Sequence, residues 1–336
     1  MLLKQDPVLA RIDDMSNLPH TLRHSSDREP GISRKARGTG FAYYAPDGTH
    51  IRNQDELMRI ETLGLPPAYS DVWICVDERG HIQATGRDDK TRKQYRYHDL
   101  WRDFRDKNKY ARLAEFGEDL PRIRAKVSRD LRRDIPDFRF VCAALTRLID
   151  QGALRIGSQS YAGDSYGATT LRTRHLKLTD DGFKLDFKAK GGKRVRKTIR
   201  DKTLARTLEQ IDDLPGRDLF NFIDENGALR KIDSADVNAY IHDDFTAKTF
   251  RTWHGTVAAF EAAHEESPTI KSLSERAAKR LHNTPAICRS SYIHPKVIDL
   301  VRMEGKDRQA LLESLKTEPE RGLVQAERAC LKLISA

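Results

Sequence analysis

The segment LHNTPAICRSSYIHPKVID sets one tyrosine, Tyr292, between a turn and a helix start. A phenol so placed is either a half-buried packing residue, the commoner case, or a nucleophile. The other side chains able to do chemistry are isolated basic residues close to glycines. The cysteines, Cys75, Cys142, Cys288 and Cys330, stand 67, 146 and 42 positions apart with no CxxC pair, and the eleven histidines are as dispersed. That spacing argues against a zinc site or a disulfide framework, so an enzyme built on this chain is expected to work without a bound metal. GxxxxGK[ST] and GxSxG are missing, as is a GxGxxG that follows a strand, which weighs against ATP-driven or dinucleotide chemistry and any nucleotide cofactor.

The charge balance says more about the partner. Sixty Lys and Arg against fifty Asp and Glu leave +10 on 336 residues. A pI near 9.4 and a mean hydropathy of −0.68 suit an extended polyanion, with nucleic acid first among candidates. The apolar runs are only a few residues long, and the N-terminus lacks a positive-then-apolar pattern, so no membrane association and a cytoplasmic, nucleoid-associated location are expected. Much of the charge is local. Residues 182–206 hold ten Lys or Arg against two Asp, and residues 121–140 hold seven against three. Both stretches read as phosphate grips. A third basic stretch, TGRDDKTRKQYRYH, interleaves Arg92 and Lys93 with Gln94, Tyr95 and Tyr97. It is either a solvated charged strand or a surface that grips phosphates and offers polar edges to bases.

The elements that must position these residues fall into two groups. Residues 1–40 are polar and irregular and read as an extended basic arm. Beyond Gly40 the text FAYYAPDGTHI and DVWICVDERGHIQATG signals hairpins at Asp47-Gly48 and Arg79-Gly80. From about Trp101 the text turns helical, interrupted at Gly117 and Pro121. A clean amphipathic helix then carries Phe138, Val141, Cys142, Leu145, Leu148 and Ile149, closed by Gly152. HLKLTDDGFKLDFKAKGGKRVRKTIRD predicts a three-stranded antiparallel meander with turns at Asp181-Gly182 and Gly191-Gly192. Helical text returns from Asn238. The expectation is α+β: a small β-rich N-terminal domain over residues 1–105, with residues 1–30 an arm, and a larger, mainly helical catalytic domain over 106–336 containing a three-stranded antiparallel sheet.

RIGSQSYAGDSYGATTLRTRHLKL, DFKAKGGKR, AKTFRTWHGT and LHNTPAICRSSYIHP occur in the order and at about the spacing of the catalytic motifs of type IB DNA topoisomerases. PPAYSDVWICVDERGHIQATGRDDKTRKQYRYHDLW resembles the small domain of their bacterial, poxvirus-like branch. The resemblance covers roughly residues 30–336. It implies Tyr292 as the nucleophile, Arg155 and Arg251 as the two catalytic arginines, Lys190 as the catalytic lysine and Lys248 as a further active-site lysine. Asn283 lies nine residues before Tyr292, where poxviral and eukaryotic relatives have a histidine and the bacterial branch has asparagine. Gln94, Tyr95, Tyr97 and Tyr161 match DNA-contacting positions, while Ser158 stands where the poxviral enzyme has a base-contacting lysine. Trp253 and His254, beside Arg251, are expected as packing and surface residues respectively.

These residue types suit that chemistry. A Tyr oxygen attacking a DNA phosphodiester forms a phosphotyrosine link and expels a sugar hydroxyl, so the bond energy is kept and resealing needs no ATP. Two fork-shaped, permanently charged guanidiniums can stabilise the non-bridging oxygens in place of a metal. An amine can protonate the leaving oxygen where surrounding cations lower its pKa from about 10.4. Lys190, among basic residues on a Gly-Gly hairpin, is placed for it, and Lys193 and Arg196 for phosphate contact. The resemblance implies a monomer that closes as a clamp around duplex DNA and relaxes supercoils of either sign by strand swivel, without ATP or metal. A tyrosine recombinase shares this chemistry but usually carries HxxR where this chain has Lys248-Thr249-Phe250-Arg251, and its N-terminal domain is helical. A non-enzymatic DNA-binding architectural protein would use only the basic surfaces.

Overall fold

A computed structural model of the chain describes residues 18–133, 135–158 and 165–336. Its contacts divide into two compact units, Met1–Lys109 and Tyr110–Ala336.

In the first unit, β1 (Ile32–Arg37), β2 (Gly40–Tyr44), β3 (Ser70–Ile74), β4 (Ile82–Arg87) and β5 (Lys93–Tyr97) form one sheet in the order β2-β1-β3-β4-β5. Every pairing is antiparallel. Alternation turns Ile32, Val72, Ile74 and Ala84 to one face, where Ile60 of α1 (Gln54–Thr62) packs on them. The extended-arm reading of residues 1–40 needs correction within the described residues. Residues 32–37 and 40–44 pair as a hairpin across Gly38, whose φ of 59° the tight turn requires. Upstream, Ser25 is fully buried and acts as a strand substitute, its Oγ accepting from Ile82 N at 2.9 Å and donating to Ile82 O at 3.0 Å. A hydroxyl that both donates and accepts lets a polar segment lie against a sheet without an unpaired edge.

In the second unit the expected helix break is absent. α2 (Asp99–Asp130) runs through Gly117 and Pro121, and the boundary between the units falls inside it. Gly117 serves packing, since a Cβ there would lie 2.7 Å from the Trp253 ring. α3 (Phe138–Gly152) starts on Asp137, which accepts from Phe140 N at 2.9 Å, and ends at Ala153 in the left-handed region, φ 47°. β6 (Leu176–Thr179), β7 (Gly182–Lys188) and β8 (Arg194–Ile199) make the three-stranded antiparallel meander. α4 (Lys202–Asp212) follows, then a hairpin of β9 (Asn221–Ile223) and β10 (Leu229–Lys231) that the sequence pattern did not signal. Seven helices complete the chain: α5 (Ser234–Ile241), α6 (Ala247–Ala262), α7 (Ile270–Leu281), α8 (Pro285–Ser291), α9 (Pro295–Asp299), α10 (Gly305–Ser314) and α11 (Gln325–Ser335).

α6 is the axis of the core. Phe250 and Trp253 are fully buried and meet Phe116 of α2 edge-on, with centroids 5.0 and 6.0 Å away. Trp253 thus packs as expected, but His254 is no surface residue. It is 8 % exposed and bonds Asp150 of α3 at 2.8 Å. Arg124 joins the same network, binding Asp150 and Glu327 of α11 at 2.7 Å each. Glu327 also accepts from Trp253 Nε1 at 3.1 Å. Buried carboxylates need such partners, so Arg124, one of the basic residues read as phosphate grip over 121–140, is half-buried and committed to Asp150 and Glu327. Arg133 and Arg129 likewise pair with Asp137 and Asp130.

Candidate active site

The site gathers where three helix ends meet. α7 ends at Leu281, and His282 reverses the chain with φ 49° so that Asn283 N returns to Ala278 O at 3.0 Å. Thr284 then caps α8, and Tyr292 closes that helix, its N bonded to Cys288 O at 2.9 Å. Tyr292 rests on α6. Thr256 Oγ1 donates to Tyr292 O at 3.2 Å and accepts from His294 N at 3.1 Å. A Cβ on Gly255 would lie only 2.7 Å from Tyr292 O, so glycine is what allows this seat.

Arg251, on the same helix, is 3 % exposed. Its guanidinium lies 5.3 Å from the centroid of the Tyr292 ring. One terminal nitrogen donates to Ala153 O and the other to Leu281 O at 3.2 Å, joining the end of α3 to the end of α7. Burial lowers the Arg251 pKa, with Tyr292 opposing and Arg155 reinforcing the shift. Arg155 is two residues beyond Ala153 and partly buried. Its backbone is fixed by Ala168 N donating to Arg155 O at 2.8 Å, in a turn where Gly157 and Gly167 touch. The structure therefore brings Arg155, Arg251 and Tyr292 together, and Asn283 stands on the turn after α7, two residues beyond the Leu281 carbonyl that Arg251 holds.

Two donors in this group are buried and have no acceptor: Arg251 Nε and Asn283 Nδ2. A buried unsatisfied donor costs about 1–3 kcal/mol. His282 gives the site no positive charge at neutral pH, because burial and the cations Lys197, Arg251, Arg280 and Lys193 push its pKa down to about 4. Burial raises Cys288 to about 11, so this thiol stays protonated near neutrality and is no rival to the phenol.

The expected lysines and Arg196 are all exposed. Lys190 is exposed, opening the Lys190–Gly192 turn between β7 and β8, where Gly191 and Gly192 both take φ of 75°. Lys248 is exposed in the first turn of α6, whereas Arg251, three residues on, is buried. Lys193 is exposed, and the electrostatic influence on His282 and Cys288 ties it to the site. Arg196 is exposed and pairs with Asp186 at 3.2 Å. Tyr161 lies outside the described residues. In the first unit, Arg92 and Gln94 both bond Asp88, and Lys93 pairs with Asp27 at 2.5 Å. Tyr95 and Tyr97 stack at 5.9 Å. Among the described residues no group of three or more His, Cys, Asp or Glu could hold a metal ion.

Reasoning from sequence missed Gly255 and Thr256, although both stand in the motif AKTFRTWHGT, because their work is to seat a segment 36 residues away. It also missed Lys197, which a strict in-and-out reading of β8 would have flagged as a lysine in an apolar row.

The family described as eukaryotic DNA topoisomerase I, catalytic core, matches residues 98–289. The family described as bacterial DNA topoisomerase IB, N-terminal domain, matches residues 40–88. A protein of Acanthamoeba polyphaga mimivirus named DNA topoisomerase 1B is 30 % identical over 292 residues, covering 80 % of this chain and 87 % of its own length. Among the described residues no helix is long and apolar enough to cross a membrane.

Proposed function

The chain belongs to the type IB DNA topoisomerases, isomerases whose substrate is duplex DNA, and from that premise we propose that Tyr292 is the residue that cuts and reseals one strand. Its Oη gives up the phenolic proton to water, with the developing phenolate facing the Arg251 guanidinium, and attacks the phosphorus of a phosphodiester; a Tyr–O–P bond forms on the 3′ side and the P–O5′ bond breaks. The 5′ oxygen leaves as a hydroxyl after taking a proton. Resealing is the reverse, and because the phosphotyrosine keeps the bond energy it needs no nucleotide.

The observation that carries this reading is the pair of orphaned donors beside Tyr292. Arg251 Nε and Asn283 Nδ2 are buried with nothing to bind in the protein, and a non-bridging phosphoryl oxygen supplies the acceptor each lacks. Arg155 adds a second guanidinium, so charge that builds on those oxygens meets donors already in place. Asn283 supplies a hydrogen bond without charge. Lys190, on its glycine turn, is the proton donor to the 5′ oxygen, and Lys248 a further cation facing the phosphate. Lys193 and Arg196 on the meander, Tyr161, and Arg92, Lys93, Gln94, Tyr95 and Tyr97 on β5 and its turn hold the duplex. Binding by Arg92, Lys93 and Gln94 exchanges Asp88 and Asp27 for phosphates and bases. The enzyme works as a monomer whose two units close on DNA as a clamp, and the free 5′ end swivels to relax supercoils of either sign without ATP or metal.

Relaxation of supercoiled plasmid in EDTA without ATP tests this, comparing wild type with Tyr292→Phe. Wild type is expected to give ladders that differ by single linking numbers, and the variant to bind DNA and leave it supercoiled. Relaxation by Tyr292→Phe at the wild-type rate would refute the assignment, and recombined products between two sites would favour a recombinase.

A further inference from the structure

β8 reads RVRKTI, and its alternation puts Val195, Lys197 and Ile199 on one face. Val195 and Ile199 are buried, and Leu185, opposite Lys197 on β7, is 1 % exposed. A lysine in such a row is costly unless its ammonium has a partner. The partner is the Arg280 carbonyl, which accepts from Lys197 Nζ at 3.0 Å across 83 residues. The next carbonyl, Leu281 O, accepts from Arg251. The last carbonyls of a helix are left unpaired by the helix itself and carry the negative end of its dipole. Two cations from different elements therefore hold the end of α7, and Asn283 follows two residues later.

We propose that Lys197 is a positioning residue for strand cleavage: by holding the Arg280 carbonyl it fixes the end of α7, and with it Asn283 and the Arg251 guanidinium, against the phosphodiester. This rests on the reading of the site given above. Lys197 is charged only part of the time. Burial, with the Arg280 and Arg251 guanidiniums, lowers its pKa to about 7. The carboxylates of the neighbouring elements are committed elsewhere: Asp186 of β7 to Arg194 and Arg196, Asp150 of α3 to Arg124 and His254, and Asp201 before α4 to Arg147. His282, on the turn after Leu281, is neutral above about 4, and Lys193 adds a further cation beside it. The grip on α7 is thus strongest below pH 7 and weakens as pH rises through it.

The test is single-turnover cleavage of a suicide duplex by wild type, Tyr292→Phe, Lys197→Met and Lys197→Arg, from about pH 5.5 to about pH 9, with duplex Kd measured alongside. Lys197→Met is expected to cleave about tenfold more slowly than wild type at the acid end, with Kd within about twofold, as befits slight misplacement. The deficit should shrink toward none above pH 7. Lys197→Arg, charged at every pH, keeps a folded comparison should methionine disturb the core. It is expected to match wild type at the acid end and exceed it above neutrality. Equal rates for Lys197→Met and wild type at every pH, a deficit that pH does not move, or a wild-type profile for Lys197→Arg each overturn the inference while leaving Tyr292 as nucleophile. Wild type that fails to cleave, or Tyr292→Phe that cleaves, overturns both.

Discussion

Gly255→Ala is the sharpest test of how the nucleophile is seated. A methyl at this position would stand 2.7 Å from Tyr292 O, 3.1 Å from Tyr292 Cβ and 3.0 Å from Leu281 Cδ1. Carbon and oxygen in contact settle at about 3.3–3.6 Å, so the Tyr292 backbone must recede by roughly 0.6–0.9 Å. The bond from Thr256 Oγ1 to the same oxygen, 3.2 Å long, stretches as it does. A misplacement near 1 Å costs about 100-fold in a reaction that depends on in-line approach, so cleavage should slow by about 10- to 100-fold. Overpacking costs about 1–3 kcal/mol, offset by about 1 kcal/mol gained from replacing glycine inside a helix. The readouts are single-turnover cleavage, duplex Kd and urea unfolding, with Gly305→Ala as control, since nothing lies within 4 Å of a Cβ there. Cleavage slowed in Gly255→Ala alone, with Kd unchanged, is the expected result. A wild-type rate for Gly255→Ala would refute the claim that α6 seats the tyrosine.

Two further outcomes follow from the buried network. Asn283→Ala should slow cleavage by about 100-fold yet leave urea stability unchanged or raised, because it removes a donor that the free protein cannot satisfy; a marked loss of stability would show that Nδ2 already has a partner. Glu327→Gln should cost about 1.5–3 kcal/mol, the size of charged hydrogen bonds lost from a buried carboxylate, because Arg124 is a quarter exposed and keeps Asp150. Burial alone would raise the Glu327 pKa, but Arg124 donating to it holds the carboxyl below the usual range. The ion pair therefore stabilises the fold at neutral pH, and that contribution is lost as pH falls below the ordinary Glu value and through the lowered one. An acid-unfolding curve equally steep in wild type and Glu327→Gln would contradict this.

The fold was legible where one period governed a whole element. The meander and α3 show this, each carrying its hydrophobic alternation and its turn residues in the open. It was illegible where a side chain stood in for backbone, as Ser25 does beside Ile82, and where a break signal served packing, as Gly117 does under Trp253. Charge was misread for a related reason. Composition treats every arginine as free surface charge, yet Arg124 is half-buried and spoken for because Asp150 and Glu327, distant in sequence, need it. The candidate site was named from motifs whose residues lie far apart along the chain. Tyr292, Arg155 and Arg251 converge in space, while Lys190 and Lys248 are exposed. Gly255 and Thr256 escaped notice because they act on backbone atoms of another segment, which no local pattern advertises, whereas Lys197 showed only as one lysine in the apolar row of β8.

Arg251 ties two strands of inheritance together. The guanidinium that faces Tyr292 also splices the last carbonyls of α3 and α7, so a substitution there is judged once by chemistry and again by architecture. Moving either helix end strains the bond to the other, and a scan of variants scored by activity alone would merge the loss of a strut with the loss of a catalytic group.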